Sequence, residues 1–293
     1  MIKILIIGGT GTLGKELVRS LYDNEDVELH IFSRDENKQK ALLKVYPKLI
    51  CHVGDICDRD DLNRIVHYKF TYVYHCAALK HVEICEDHVT KTVKINYNGT
   101  KNVYWALCRI PTTKMIFFTT DKAVAPLNVY GMSKALAEKF LLEQNKVTNN
   151  IYIFRWGNIL GSTGSVIPIF IDQLLNKKPI TITDKGMTRF WLSIHDAVDF
   201  VQTTLASKPS GLYWTKHIKC ASLIAIIEEI ATILDVSDFD LKEIGLRAGE
   251  KIHEAMEDTQ YGPSVTSCGY TAFSKTELND ILYPIVKELV QND

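Results

Sequence analysis

Apolar residues fall along the first half of the chain in two alternating rhythms. Short β-branched runs bounded by turn residues recur between longer stretches whose apolar positions lie three and four apart. Ile2-Lys3-Ile4-Leu5-Ile6-Ile7 is such a run and predicts a strand buried on both faces, hence central and parallel. Gly8-Gly9-Thr10-Gly11-Thr12-Leu13-Gly14 follows, then a helix with Leu13, Leu17, Val18 and Leu21 on one face. Further strands are predicted over 27–32, 49–53, 71–76, 114–120 and 151–155. Helices are predicted between them: over 36–46, stopping before Pro47, a polar one before Thr71, a long one over roughly 83–109 and one over 129–144. Strands alternating with helices predict a doubly wound parallel α/β sheet, because each parallel pair needs a crossover.

After Arg155 the rhythm breaks. Gly157, Gly161, Gly164, Pro168, Pro179 and Gly186 punctuate shorter elements. Helices are expected over 195–206 and 222–234. Ser274-Lys275-Thr276-Glu277 is a capping-box pattern opening a last helix with Leu278, Ile281, Leu282, Ile285 and Leu289 in a stripe, kinked at Pro284. The division expected is residues 1–156 with parts of 185–206 as a dinucleotide-binding Rossmann domain, and 157–184 with 207–293 as a smaller C-terminal substrate lobe.

Composition narrows the classes. With 293 residues, 46% hydrophobic and 24% charged, a disordered or fibrous chain is excluded. The formal net charge of −1 gives no electrostatic case for a nucleic-acid or membrane-surface partner. The 7 cysteines form no Cys-x-x-Cys pair and read as reduced thiols, which predicts a cytoplasmic protein. The first apolar run is too short to span a membrane. His75, His81 and His88 lie near Cys76 and Cys85, but the spacing fits no usual zinc framework, so no metal is expected. Asn98-Gly99-Thr100 is taken as a chance sequon.

The glycine spacing Gly8-x-x-Gly11-x-x-Gly14, between a buried strand and a helix, suits a pyrophosphate that must approach backbone N–H groups closely. At the end of the second strand stand Ser33 and Arg34, with Asp35 only afterwards. A forked, permanently charged guanidinium suits a phosphate, so NADP is favoured over NAD. Asp55, just before Ile56, could accept from an adenine amine or cap its own loop. Tyr130 and Lys134 share a helix face, and Thr120, Asp121 and Lys122 end the preceding strand, where ligands bind in open parallel sheets.

Together these motifs resemble the extended short-chain dehydrogenase/reductase superfamily. Thr120-Asp121-Lys122-Ala123, Pro126, Asn128 and Tyr130-Gly131 resemble its C5-inverting UDP-N-acetylglucosamine 4,6-dehydratases. His75 to Val82, Arg155-Trp156-Gly157-Asn158, Gly164 to Pro168, Met187 to Trp191 and Arg247 to Lys251 follow that pattern in order, from residue 2 to about 255. Ala125 stands where many members have asparagine, a change expected to matter little, and the region after about 257 is short.

The resemblance implies a redox-neutral loss of water across C5 and C6 of UDP-GlcNAc or a related UDP-sugar. Tyr130 would be the base at the C4 hydroxyl, its phenolate stabilised by Lys134 and hydrogen-bonded by Thr120. Lys122 would take the C5 proton, and Asp121 would protonate the leaving C6 hydroxyl. Retaining relatives carry Asp-Glu in place of Asp121-Lys122. Cofactor contacts implied are Gly8, Thr10, Gly11, Thr12, Leu13, Gly14, Ser33, Arg34, Asp55, Ile56, Ala77, Ala78, Lys80, Asn96, Tyr130 and Lys134. Substrate contacts implied are Lys80, His81, Asn158, Ser165, Val166, Thr183, Met187, Arg189, Arg247 and Glu250, with Arg189 and Arg247 facing the diphosphate and Glu250 placing the ribose or an arginine. A homodimer or higher homo-oligomer through the long helix and the Tyr130 helix is implied too. Two rivals stay open: a UDP-hexose 4-epimerase, which needs Tyr130 but not Asp121-Lys122, and a non-catalytic NADP-sensing regulator.

Overall fold

The computed structural model describes residues 1–162, 164–216, 218–259 and 262–291. The chain divides into two compact units, Met1–Arg155 with Ala197–Trp214, and Trp156–Asp196 with Thr215–Asp293.

The first unit is built on a seven-stranded parallel sheet. Its strands are β1 (Ile2–Ile7), β2 (Val27–Ser33), β3 (Ile50–Val53), β4 (Tyr72–His75), β5 (Lys114–Thr120), β6 (Ile151–Trp156) and, far along the chain, β10 (Gly211–Tyr213). The order is β3-β2-β1-β4-β5-β6-β10. β1 is central because its Ile4, Leu5, Ile6 and Ile7 have no polar face to offer solvent; all four are buried. Strand order reverses between β1 and β4, so the carboxyl ends of β1, β2, β4 and β5 surround the switch point where such sheets bind ligands.

The crossovers are α1 (Thr12–Leu21), α2 (Glu36–Val45), α3 (Arg59–Asn63), α4 (Val82–Asp87), α5 (Val89–Val93) and α6 (Thr100–Val103), then α7 (Val129–Thr148). The long helix expected over 83–109 is interrupted. His88, at φ −129° and ψ 55°, separates α4 from α5, and π stretches Lys94–Gly99 and Tyr104–Cys108 alternate with the α-helical turns. The core joins Leu5, Ile7, Phe32, Met115, Phe117, Ile151 and Ile153 of the sheet to Tyr104, Ala137 and Leu141 of the helices.

The second unit carries a small sheet of β7 (Asn158–Ile159), β9 (Thr188–Leu192) and β11 (Lys219–Ser222) in the order β11-β9-β7. The pair β8 (Ile180–Ile182) and β12 (Leu241–Glu243) and the hairpin β13 (Ala255–Thr259) and β14 (Gly262–Thr266) complete its strands. Its core gathers Ile167, Phe170 and Ile171 of α8 (Val166–Leu175), Ile226, Ile227 and Ile230 of α10 (Leu223–Ile233), and Leu278, Leu282 and Val286 of α11 (Lys275–Gln291). The capping box forms: Ser274 N donates to Glu277 Oε2 (2.9 Å) and Glu277 N to Ser274 Oγ (3.3 Å). Pro284 lies inside α11.

The chain returns to the first unit at 197–214, in α9 (Ile194–Ser207) and β10. Of 185–206, expected in part with the first domain, 197–206 falls in the first unit and 185–196 in the second, while 207–214, expected in the lobe, falls in the first unit. The cause is β10, which pairs in parallel with β6 and covers that edge of the sheet.

Candidate active site and cofactor turn

The strand-to-helix turn after β1 is dictated by its glycines. Gly8 takes φ +81°, and a Cβ there would lie 2.8 Å from Ala77 N. A Cβ on Gly14 would lie 2.3 Å from Gly8 O, so the helix can start this close to the strand only without one. Gly11 differs: its Cβ would meet only Gly8 O, at 3.3 Å. The protein's own packing therefore leaves the outer face of the turn open at Gly11. α1 begins there with no side-chain cap and no acidic residue in its first turn. A bare helix N-terminus behind an open glycine fits a dinucleotide's pyrophosphate.

At the end of β2, Arg34 is exposed and Asp35 is committed elsewhere. The Asp35 carboxylate caps α2, accepting from Lys38 N at 3.0 Å. Asp55 serves its own loop, its Oδ1 accepting from Cys57 N at 2.8 Å. Ile56 is buried, and its carbonyl accepts from Asn102. Asn96, expected at the cofactor, spends its amide on the chain: Nδ2 donates to Leu79 O and Ser133 Oγ, and Oδ1 accepts from Leu79 N (2.7–2.9 Å). It fixes the 77–80 segment against α7 rather than presenting donors outward. Lys80 and His81 are exposed beside it, at the start of α4.

Thr120, Asp121, Lys122 and Tyr130 converge at the carboxyl end of β5. Asp121 is wholly buried; its Oδ1 accepts from Thr120 Oγ1 at 2.9 Å and from Lys122 Nζ at 3.0 Å. α7 is brought onto this turn by Gly131, whose Cβ would stand 2.1 Å from Lys122 O. Its N-terminus is held twice, by Asn128 Oδ1 accepting from Gly131 N (2.7 Å) and by Glu86 Oε1 accepting from Val129 N (2.6 Å).

Burial pushes the Tyr130 phenol up to about 12; Lys122 and a hydrogen bond with Thr120 draw it down, and Asp121 pushes it up. Lys134, one turn further along α7, sits 3.9 Å from the Phe117 ring centroid. Burial lowers its ammonium to about 7, against the pull of Glu138 one turn on. Glu138 is itself paired with Arg155 of β6, both buried, which ties α7 to the sheet. His75, at the end of β4, donates or accepts at Thr100 Oγ1 (2.9 Å) and is kept neutral by burial.

Ala125 turns out to matter. It adopts φ +40°, a left-handed conformation that asparagine tolerates and alanine resists. The expectation that the change matters little is corrected on that ground.

In the second unit, Arg189 is nearly buried and its guanidinium is occupied. NH1 donates to Thr188 O (2.7 Å) and Ile252 O (3.0 Å), and NH2 to Lys251 O (2.9 Å). It binds the 251–252 backbone to β9, where a diphosphate contact was expected. Met187 Sδ receives Arg189 NH2 (2.9 Å) and the Thr183 hydroxyl (3.5 Å). Arg247 is exposed, in a turn closed by Glu250 Oε2 accepting from Arg247 N (3.1 Å). Ser165 occupies the N-cap position of α8 with its hydroxyl buried and, among the described residues, without a hydrogen-bond partner, and Val166 opens that helix. Asn158 lies in β7.

Among the described residues no group of three or more His, Cys, Asp or Glu side chains is placed to hold a metal, and no helix is long and apolar enough to cross a membrane.

A glycine turn on β1, a Thr-Asp-Lys turn on β5 and a Tyr-x-x-x-Lys helix on this strand order define an extended short-chain dehydrogenase/reductase of the sugar-nucleotide dehydratase and epimerase class. The chain belongs to the polysaccharide biosynthesis protein family, which it matches over residues 4–269. It is 36% identical over 262 residues to the UDP-N-acetylglucosamine 4,6-dehydratase (inverting) of Campylobacter jejuni subsp. jejuni serotype O:2, covering 86% of this chain and 76% of that one. It is 34% identical over 267 residues to the UDP-glucose 4-epimerase of Rickettsia massiliae, covering 88% and 78%. The solved structure of Pen from Bacillus thuringiensis superposes with a TM-score of 0.86 at 28% identity, covering 98% of each chain. The dTDP-glucose 4,6-dehydratase of Bacillus anthracis, solved with NAD, shares the fold (TM-score 0.79, 17% identity, 100% and 98% covered).

Proposed function

We propose that this chain is an NADP-dependent, C5-inverting UDP-GlcNAc 4,6-dehydratase. One observation carries it: a buried carboxyl and an ammonium 3.0 Å apart stand beside the Tyr130 helix. An epimerase gives such a pair no task. When bound, a dinucleotide held by the Gly8-to-Gly14 turn and by Ser33 and Arg34 would supply a hydride acceptor for C4 and a hydride donor for C6. Tyr130 takes the C4 hydroxyl proton, and Lys122, together with Lys134 one turn along the helix, favours its ionisation. Proton transfer from Lys122 Nζ to Asp121 Oδ1 along their hydrogen bond leaves a neutral amine and a carboxylic acid. The amine then removes the C5 proton made acidic by the C4 ketone, and the acid protonates the departing C6 hydroxyl. A proton drawn from solvent then adds to C5 on the opposite face and inverts it, while Tyr130 releases to solvent the proton it took from the C4 hydroxyl.

Arg34 and Ser33 at the end of β2, with Asp35 withdrawn into the α2 cap, support a phosphorylated dinucleotide. The same reading includes a cytoplasmic homodimer through the long-helix region and α7, on which Trp105, Met132 and Leu136 are exposed.

Incubation with NADP and UDP-GlcNAc in heavy water tests this. The expected product is a 4-keto-6-deoxy sugar with deuterium at C5 and inverted configuration; Lys122→Met should yield none while still binding NADPH. The 34% identity to Rickettsia epimerases supports a 4-epimerase as the second reading. A C4 epimer with no loss of water would establish it and overturn the first.

A further inference from the structure

Gln39 of α2 is buried, 2% exposed, in a helix that otherwise buries only Leu42. Its Nε2 reaches back to His52 O (2.8 Å), Ser33 Oγ (2.9 Å) and Ser33 O (3.1 Å). The two carbonyls can only accept, so the nitrogen end of the amide is fixed by its surroundings. An amide nitrogen does not accept. Two hydrogens serve three acceptors: one goes to His52 O and the other is shared between Ser33 O and Ser33 Oγ, so the hydroxyl keeps its own hydrogen to donate. Among the described residues no hydrogen bond takes that hydrogen.

The polarity matters because of what stands at the end of β2. Arg34 is a donor only, and Asp35, the nearest acceptor-only group in sequence, is engaged by Lys38 N. With Ser33 locked as a donor, the strand end presents donors to whatever binds there. A ribose diol held by a carboxylate needs an acceptor at such a position, whereas a ribose 2′-phosphate needs donors.

We propose that Gln39 is a positioning residue for cofactor choice: by donating to Ser33 Oγ it turns the serine hydroxyl into a donor aimed at a ribose 2′-phosphate. The inference rests on the NADP reading above and adds to it a residue that never touches the cofactor.

The test is titration of NADPH and NADH by nicotinamide fluorescence into wild type, Gln39→Met, Ser33→Ala and the double variant, so that no turnover is needed. Wild-type preference for NADPH tests the NADP reading itself; preference for NADH would overturn both. A hydrogen bond to a charged group is worth about tenfold or more in affinity. Gln39→Met should weaken NADPH by about tenfold and NADH by less than about twofold. In the Ser33→Ala background it should change neither, because the receiving hydroxyl is gone. Equal weakening of NADPH and NADH by Gln39→Met, or an unchanged NADPH effect in the Ser33→Ala background, would show a merely structural glutamine and refute the proposal. Should Gln39→Met fail to fold, Ser33→Ala decides alone: an NADPH to NADH ratio equal to wild type refutes it, and a loss of about tenfold supports it.

Discussion

At the scale of single residues, burial of Lys134 has a consequence for stability. Its folded-state value is about 7 against 10.5 for the free side chain. Between those values the unfolded chain binds the proton and the native state does not, so stability rises with pH across that window. Below about 7 both states are protonated and the full penalty of the buried ammonium remains. Lys134→Met removes the penalty. The variant should melt above wild type at pH 6.5, and the gap should narrow by pH 9.5 and close only above about 10.5. Each tenfold loss of proton affinity is worth about 1.4 kcal/mol, so the gap at pH 6.5 should be at least about 3 °C. Paired melts by calorimetry check this; a gap that does not depend on pH would contradict it. Lys134 and Tyr130 could be found in the sequence because their spacing is local. Asn96 and Arg189 could be found too, but not their work. Asn96 is 17 residues from Leu79 and 37 from Ser133, and Arg189 is 62 from Lys251, so only the folded chain shows that their polar groups are spent on backbone and neighbours.

At the scale of elements, the turn from β5 into α7 joins acid, amine and phenol, and Ala125 is its strained point. An L-residue in the left-handed region costs about 1–2 kcal/mol, and asparagine less than others. Ala125→Asn should therefore raise stability by about 0.5–1 kcal/mol without touching the reacting groups. Urea unfolding measures it; a lower midpoint at unchanged slope would show that the turn does not bear this strain. β1 and its glycine turn were legible because a β-branched run bounded by glycine has few alternatives. The helical region over 82–108 was legible in extent but not in form. Its apolar spacing runs on, whereas the break at His88 and the two π stretches arise from how it packs.

At the scale of the molecule, neither unit is a continuous piece of chain. Residues 1–156 with parts of 185–206 read as the first domain, yet its sheet is finished by β10 from 211–213, a stretch expected in the lobe. β10 was invisible because three residues carry no period. Without 197–214, β6 loses its outer neighbour, and Phe154 loses the rings of Phe200 and Tyr213, whose centroids lie 5.5 and 6.1 Å away. A fragment of 1–155 would present a bare, apolar strand edge. It should aggregate or self-associate in size-exclusion chromatography and melt without a cooperative transition. A monomeric fragment with a sharp melt would show that the return segment is dispensable.

The contact at Gly131 has a mechanical consequence. Backbone touches backbone there, with no side chain between to act as a spring. The helix bearing the phenol and the turn bearing the acid and the amine must therefore shift as one rigid part. Thermal jostling can tilt that part, but it leaves the gap between its proton-handling groups unaltered, and even a single methyl group at the joint would be a wedge.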